Sequence, residues 1–365
     1  NELNGFSLGA IGRATNIDHV EIMNNVDDGI EIWGGTVQLT YVTIWNIGDD
    51  SFDIDEGWRG KAQYGLIVQG SSADADQGSG LGDNCFETDG AEDSDAQPVT
   101  TARICNFTVI GQPVAGDGAT TWRDNARVQY CNMIFMDIGE KIVRFDNDDG
   151  DGANGYGYNG TLTWSQTWNT PYTYISPVND GSSYGFPIAD LYTTQISGNL
   201  SQITDSCFYN NFHTNAYTEA DNVGVTVSGG SNDALCNYVI TETDPAMPRS
   251  PIQELIRGSA ITRDGMNVYP VEYINPCAAN CAVVSCWKHS DDFFQPAPFR
   301  GGFSPYYNWL AGWSSVDAYG MTDTAMNTAT DTTSMIVPDD GDLDNDLDTD
   351  FSDMAVLANS WLERK

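Results

Sequence analysis

The 365-residue sequence predicts an all-β chain built as a β-solenoid. Three observations lead there: a gapless internal repeat, alternation of apolar residues inside each copy, and Asn/Gly/Asp turns between the alternating runs. Residues Ile17–Ile32 align with Leu39–Ile54 at an offset of 22. The alignment matches Val20 with Val42, Ile22 with Ile44, Asp27-Asp28 with Asp49-Asp50, and Ile30 and Ile32 with Phe52 and Ile54. Alternation of period two marks two short strands per copy, each with one inward face. A repeat of this length cannot bury its inner face alone, so successive coils must stack.

Weaker copies follow. Asn132–Ile142 keeps the strand–turn–strand pattern, and Asn106–Ile110 supplies a further coil strand. Gly150–Tyr192, rich in Gly, Asn, Tyr, Ser and Thr, reads as long loops carrying Trp164 and Trp168. Val223–Val227 again looks like a strand, and Pro251–Arg257 has the spacing of a helix. The predicted organisation is a solenoid domain over 1–320, a Thr-rich linker over 321–338 and a small calcium-binding segment over 339–365. The first residues already lie in a strand-like pattern, so an upstream segment is expected before Asn1.

Fifty-two Asp and Glu face 15 Lys and Arg, for a formal charge of −37. Such a chain is repelled by nucleic acid and by anionic membranes, and no apolar run is long enough to span a bilayer. It is not a disordered acidic chain. Hydrophobic residues make up 40 %, with 10 Trp, 17 Tyr and 14 Phe available for a core. The acid is clustered: five of the eight residues Asp49–Glu56 are acidic, as are Asp146, Asp148, Asp149 and Asp151. Equivalent residues of stacked coils lie about 4.8 Å apart. Asp27 and Asp28 are therefore expected under Asp49 and Asp50, with Asp53 and Asp55 close by. Such a set calls for calcium, for protonation or for an Arg or Lys partner, and is read as a calcium site. Arg13, Arg59 and Lys61 are the local cations.

A second calcium site is expected at the C-terminus. Counting from Asp342 puts Asp344, Asp346, Asp348, Asp350 and Asp353 at positions 3, 5, 7, 9 and 12 of an EF-hand-like loop. A helix follows, with Ser352 as N-cap. The eight cysteines (Cys85, Cys105, Cys131, Cys207, Cys236, Cys277, Cys281, Cys286) include no C-x-x-C pair and only three His accompany them, which argues against zinc. Cys105 and Cys131 fit buried thiols or disulfides equally, and the 277–286 cluster is the favoured place for a disulfide.

The tail resembles the dockerin repeats of secreted proteins. It departs from them in carrying one loop and in having Leu347 where a Gly accommodates the sharp turn, so docking to a cohesin is not expected. Residues Asn4–Arg13, Asp27–Gly35, Gly48–Gly60, Pro298–Phe303 and Asn308–Trp313 carry a second resemblance. They are similar to large secreted or lipid-anchored proteins of planctomycete-like and Bacteroidetes-like bacteria. That resemblance implies a right-handed parallel β-helix outside the cell or on its surface, without an established activity.

The leading expectation is a calcium-stabilised structural protein of the cell surface or matrix. It would assemble into a homo-oligomer or polymer, or hold polysaccharide or envelope material. One alternative is a polysaccharide lyase with calcium on Asp49, Asp50, Asp53 or Asp55 and Arg59 or Lys61 as base, or a glycoside hydrolase using a carboxylate pair. Another is a carbohydrate-binding module using Trp164, Trp168, Trp309 and Trp313; Trp309 and Trp313 would share one face if helical, although core packing is the favoured role for them. No catalytic residue is assigned.

Overall fold

A computed structural model of the chain describes residues 3–70, 82–90, 100–113, 118–123, 126–145, 201–211, 238–242, 249–263, 265–280, 282–287 and 292–323. By contacts the chain divides into two compact units, Asn1–Met326 and Asn327–Lys365. The second unit, with the acidic tail, lies outside the described residues. So do Gly150–Tyr192 with Trp164 and Trp168, Val223–Val227, Cys236 and Cys281.

Apolar alternation builds two parallel sheets. The first has six strands in the order β1 (Phe6–Gly9), β3 (Ile30–Trp33), β5 (Phe52–Asp55), β7 (Phe86–Thr88), β9 (Thr120–Trp122) and β12 (Val143–Phe145). The second contains β2 (Asn16–Met23), β4 (Gln38–Trp45), β6 (Lys61–Val68), β8 (Thr101–Ile110), β10 (Arg127–Cys131), β11 (Ile134–Met136), β13 (Ser201–Tyr209) and β14 (Tyr238–Glu242). Strands β10 and β11 are two pieces of one level, both pairing β8 and β13. The chain is thus a parallel β-helix. The repeat supplies its register: Val20 pairs with Val42, Ile22 with Ile44, Ile30 with Phe52 and Ile32 with Ile54. Inward side chains of both sheets, among them Ile30, Phe52, Phe86, Leu39, Ile104 and Phe107, form one core.

Each long strand of the second sheet turns a corner through one residue in the left-handed region. His19 (φ 51°), Tyr41 (φ 54°), Tyr64 (φ 63°), Asn106 (φ 58°) and Asn132 (φ 59°) occupy it on successive levels. Asn tolerates this conformation, whereas aromatic residues need compensation. Stacking provides it: ring centroids are 4.6 Å apart for His19–Tyr41 and 5.2 Å for Tyr41–Tyr64.

The outer face of this second sheet is covered. Strands β4, β6 and β8 are buried on both sides, and Tyr41, Trp45, Tyr64, Leu66 and Val68 belong to a second core outside the solenoid. The cover comes from 249–323. It holds the antiparallel pairs β15 (Ile252–Arg257) with β18 (Val271–Ala278), β16 (Ile261–Arg263) with β17 (Met266–Val268), and β19 (Val283–Trp287) with β20 (Ala297–Phe299). A four-residue helix, α1 (Ser315–Ala318), follows. Glu21 accepts hydrogen bonds from the Ser315 and Val316 amides at 2.6 and 3.2 Å, joining α1 to the first coil. Gly302 lies so close to β6 that a Cβ there would sit 2.3 Å from the Gly65 carbonyl oxygen.

Three expectations change. Pro251–Arg257 is a strand: Leu255 and Ile256 pair with Ile274 and Tyr273, and tertiary pairing overrides a spacing that also fits a helix. Trp309 and Trp313 lie in a turn segment before α1. Trp309 is buried and stacks on Phe303 at 4.6 Å, so it anchors the cover. Cys281 and the Cys286 side chain lie outside the described residues. Among the described side chains Cys277 is a buried thiol and a disulfide joins Cys105 to Cys131, which face each other on adjacent coils with Cα atoms 4.7 Å apart. Stacking brings these two to bonding distance, which no local spacing in the sequence signals. The packed body also continues past residue 320: Thr322 is buried and bridges to Ile274.

Candidate metal centre

The carboxylates converge on the outward face of β3, β5 and β7 and on the turns entering those strands. Parallel pairing carries one pattern over three coils. Glu31 pairs with Asp53 and Asp53 with Glu87. Four residues earlier on each coil come Asp27, Asp49 and Asp83, with Asp28, Asp50 and Asn84 next to them. Eight carboxylates and one amide therefore occupy a three-by-three array.

Backbone amides fix the middle column. Asp28 Oδ1 accepts from the Asp50 amide at 3.0 Å, and Asp50 Oδ1 accepts from the Asn84 amide at 2.7 Å. The Thr121 hydroxyl then donates to Asn84 Oδ1 at 2.7 Å, closing the ladder on a neutral rung. Asn4 donates to Glu31, and Arg123 pairs with Glu87 and, at 3.6 Å, with Asp89.

Three groups of carboxylates each bring one oxygen per residue within 4.8 Å of the others: Asp27–Asp28–Asp49, Asp28–Glu31–Asp53 and Asp49–Asp50–Asp83. The first two share Asp28 and the first and third share Asp49. Without a cation the array holds its protons tightly. Burial pushes Asp28 up to about 8, with the charges of Asp49 and Glu31 adding to the rise. Asp50 and Asp53 are driven well above the carboxylate range by burial first, then by the charges of Asp83 and Glu87 respectively. Glu87 is raised by burial and by Asp50, against the opposing pull of Arg123. Glu31 is raised by burial, which the Asn4 hydrogen bond partly offsets.

A hard divalent cation with oxygen ligands suits this donor set. Asp53 makes the case beyond mere acidity: it is 8 % exposed, and its Oδ1 is buried without a hydrogen-bond partner. A buried carboxylate oxygen is normally partnered, so this atom is placed to ligate.

Of the expected residues, Asp27, Asp28, Asp49, Asp50 and Asp53 come together. Asp55 sits at the rim, in no three-residue group, with its Oδ1 accepting from the Glu56 amide. Asp342, Asp344, Asp346, Asp348, Asp350 and Asp353 lie outside the described residues. Lys61 is not in the site: it is buried on the second sheet, with Nζ 5.9 Å from the Phe293 ring centroid. Glu31, Asp83 and Glu87 were missed. Glu31 aligns with Asp53 in the 22-residue repeat, and Asp83-Asn84-Cys85-Phe86-Glu87 repeats Asp49-Asp50-Ser51-Phe52-Asp53 at an offset of 34. A repeat search that allowed an insertion at 71–81 would have found both.

Residues 1–176, a little under half of the chain, match a protein family described as a pectate-lyase like beta helix domain. The match agrees with the observed parallel β-helix and points coarsely to polysaccharide. No curated protein and no solved structure matches the chain.

Proposed function

We propose that this chain works outside the cell as a calcium-loaded β-helix that holds an anionic polysaccharide on its carboxylate array. The observation that carries the reading is the array itself, eight carboxylates stacked over three coils with an unpartnered buried oxygen on Asp53. Asp28, Glu31 and Asp53 would hold one ion, and Asp49, Asp50 and Asp83 another. Bound calcium supplies charge compensation and coordination positions for the carboxylates of a polymer. That compensation is needed, because a chain of net charge −37 otherwise repels a uronate polymer. The disulfide between Cys105 and Cys131 supports an oxidising, extracellular setting.

Holding fits these residues better than cleavage. Both residues considered as an eliminating base are buried, Arg59 at 2 % exposure and Lys61 against Phe293, and Arg123 pairs with Glu87 and Asp89. The array serves a surface or matrix protein equally well, since one calcium can bridge the chain to polymer or to a second copy. A hydrolase reading has one observation in its favour, the carboxyl of Asp28 kept protonated up to about 8 beside ionisable neighbours.

Co-sedimentation with polygalacturonate, alginate and a neutral glucan tests the proposal, with calcium or chelator present and new chain ends assayed in parallel. The expected result is retention on the acidic polymers in calcium only, lost in the Asp28→Asn/Asp53→Asn double variant, with no new ends. Retention unaffected by chelator, or none on either acidic polymer, would overturn it. New ends abolished by Asp28→Asn would establish the hydrolase instead.

A further inference from the structure

Away from the carboxylates, a cavity of about 380 Å³ opens where the second corner of the solenoid meets the 249–323 cover. One wall is a column of amides from successive coils, Asn24, Asn46, Gln69 and Gln112, and the other is cover residues that include Val271 and Tyr319. None of its lining residues is charged, in a chain of net charge −37. From this geometry we infer that the cavity is a binding site for a neutral saccharide unit, separate from the carboxylate array and independent of calcium.

Three features carry the assignment. The amides are held in fixed orientations with donor capacity left over. Asn46 Nδ2 donates to Asn24 Oδ1 at 2.6 Å, which leaves the Asn24 N–H donors for a ligand at the exposed lip. Gln69 Nε2 donates to the Asp83 carbonyl at 2.7 Å, which fixes this amide in the wall. Gln112 holds the two walls together, its Oε1 accepting from the Tyr269 amide at 2.9 Å.

The second feature is aromatic. Trp45 forms buried lining at 5 % exposure, and Tyr319, 75 % exposed just after α1, stands among the lining residues as a ring with little packing of its own. Aromatic faces with nearby amides are the chemistry that recognises a sugar ring, apolar on its C–H face and hydroxylated at its edge. The third feature keeps the cavity open. A Cβ at Gly70 would sit 2.2 Å from Asn46 Oδ1, so any side chain there would strike the amide column. Fixed amides, an exposed ring and no charge fit a neutral polyol rather than the uronate expected at the array.

The test uses the full chain in chelator, so that the carboxylate array holds no calcium. Cellobiose, galactose, mannose and N-acetylglucosamine are titrated while saturation transfer to the sugar protons is followed. At least one sugar is expected to bind. Its affinity should fall about tenfold or more in Tyr319→Ala and in Asn24→Ala, and stay unchanged in Asp53→Asn. Both first substitutions are at exposed positions, and an unchanged Tm identifies folded variants. Binding by none of the four sugars, or binding that survives both substitutions, would overturn the assignment. The array is tested by acidic polymer in calcium, so failure of either site is read without the other.

Discussion

The two sheets of this β-helix share one core but use their outer faces in opposite ways. The second sheet turns Tyr41, Trp45, Tyr64, Leu66 and Val68 outward and buries them under residues 249–323. The first sheet turns Glu31, Asp53 and Glu87 outward and lines the turns beside them with Asp27, Asp28, Asp49, Asp50 and Asp83. Stacking amplifies whatever an outward position carries. An aromatic repeated on each coil becomes a packed column, and a carboxylate repeated on each coil becomes a site that demands a cation or a proton.

The contrast is broken most severely at Trp309. This residue stacks on Phe303, meets Tyr41 edge-on at 5.4 Å and donates from Nε1 to the Gly302 carbonyl at 2.8 Å. Trp309→Ala should cost about 3–5 kcal/mol in urea denaturation, with or without calcium, because it empties a buried aromatic site. Next comes the disulfide. Cys105 and Cys131 are 26 residues apart, so the Cys105→Ala/Cys131→Ala variant should lose about 3 kcal/mol, again without calcium dependence.

On the open face the sign depends on the cation. Asp50→Asn mimics Asn84, the neutral rung already present in the same column. In chelator near pH 8 it should stabilise the protein by about 1 kcal/mol, because burying Asp50 costs either proton uptake or an unfavourable charge and the neutral amide needs neither. In excess calcium it should destabilise, because a ligand is lost. Differential scanning calorimetry under both conditions would show the reversal.

The pH dependence follows from Asp28, whose folded value of about 8 lies above its ordinary 3.8. The folded chain therefore binds more protons than the unfolded chain between those values, so stability falls as pH rises through that window. The Tm in chelator should drop from pH 5 to pH 8.5, and excess calcium should flatten the slope by replacing the proton. A Tm that rises over the same range in chelator would remove the account of the raised carboxyls.

Much of the solenoid was legible. The alignment of Ile17–Ile32 with Leu39–Ile54 became the observed register residue for residue, since stacking requires equivalent residues to meet. Two of the three carboxylate rows were readable for the same reason. The third, Asp83 and Glu87, was obscured because the insertion at 71–81 stretches the offset from 23, as in Leu39 with Ala62, to 34, as in Phe52 with Phe86. The cover was the least legible part. Ile252, Leu255 and Ile256 have spacing that fits a helix or a strand, and only pairing with β18, some twenty residues on, decides it. Nor does the sequence around Cys105 and Cys131 signal their partnership, because the coil between them sets it.

The most direct test of the central claim is a count of bound calcium on the full chain carrying Asp342→Ala and Asp344→Ala, which removes two ligands of the calcium loop expected from the tail sequence. Native mass spectrometry with a calorimetric titration would provide it. The account predicts at least one calcium retained by this variant, and its loss when Asp28→Asn and Asp53→Asn are added. No calcium on the tail variant, or calcium that survives those two substitutions, would contradict it.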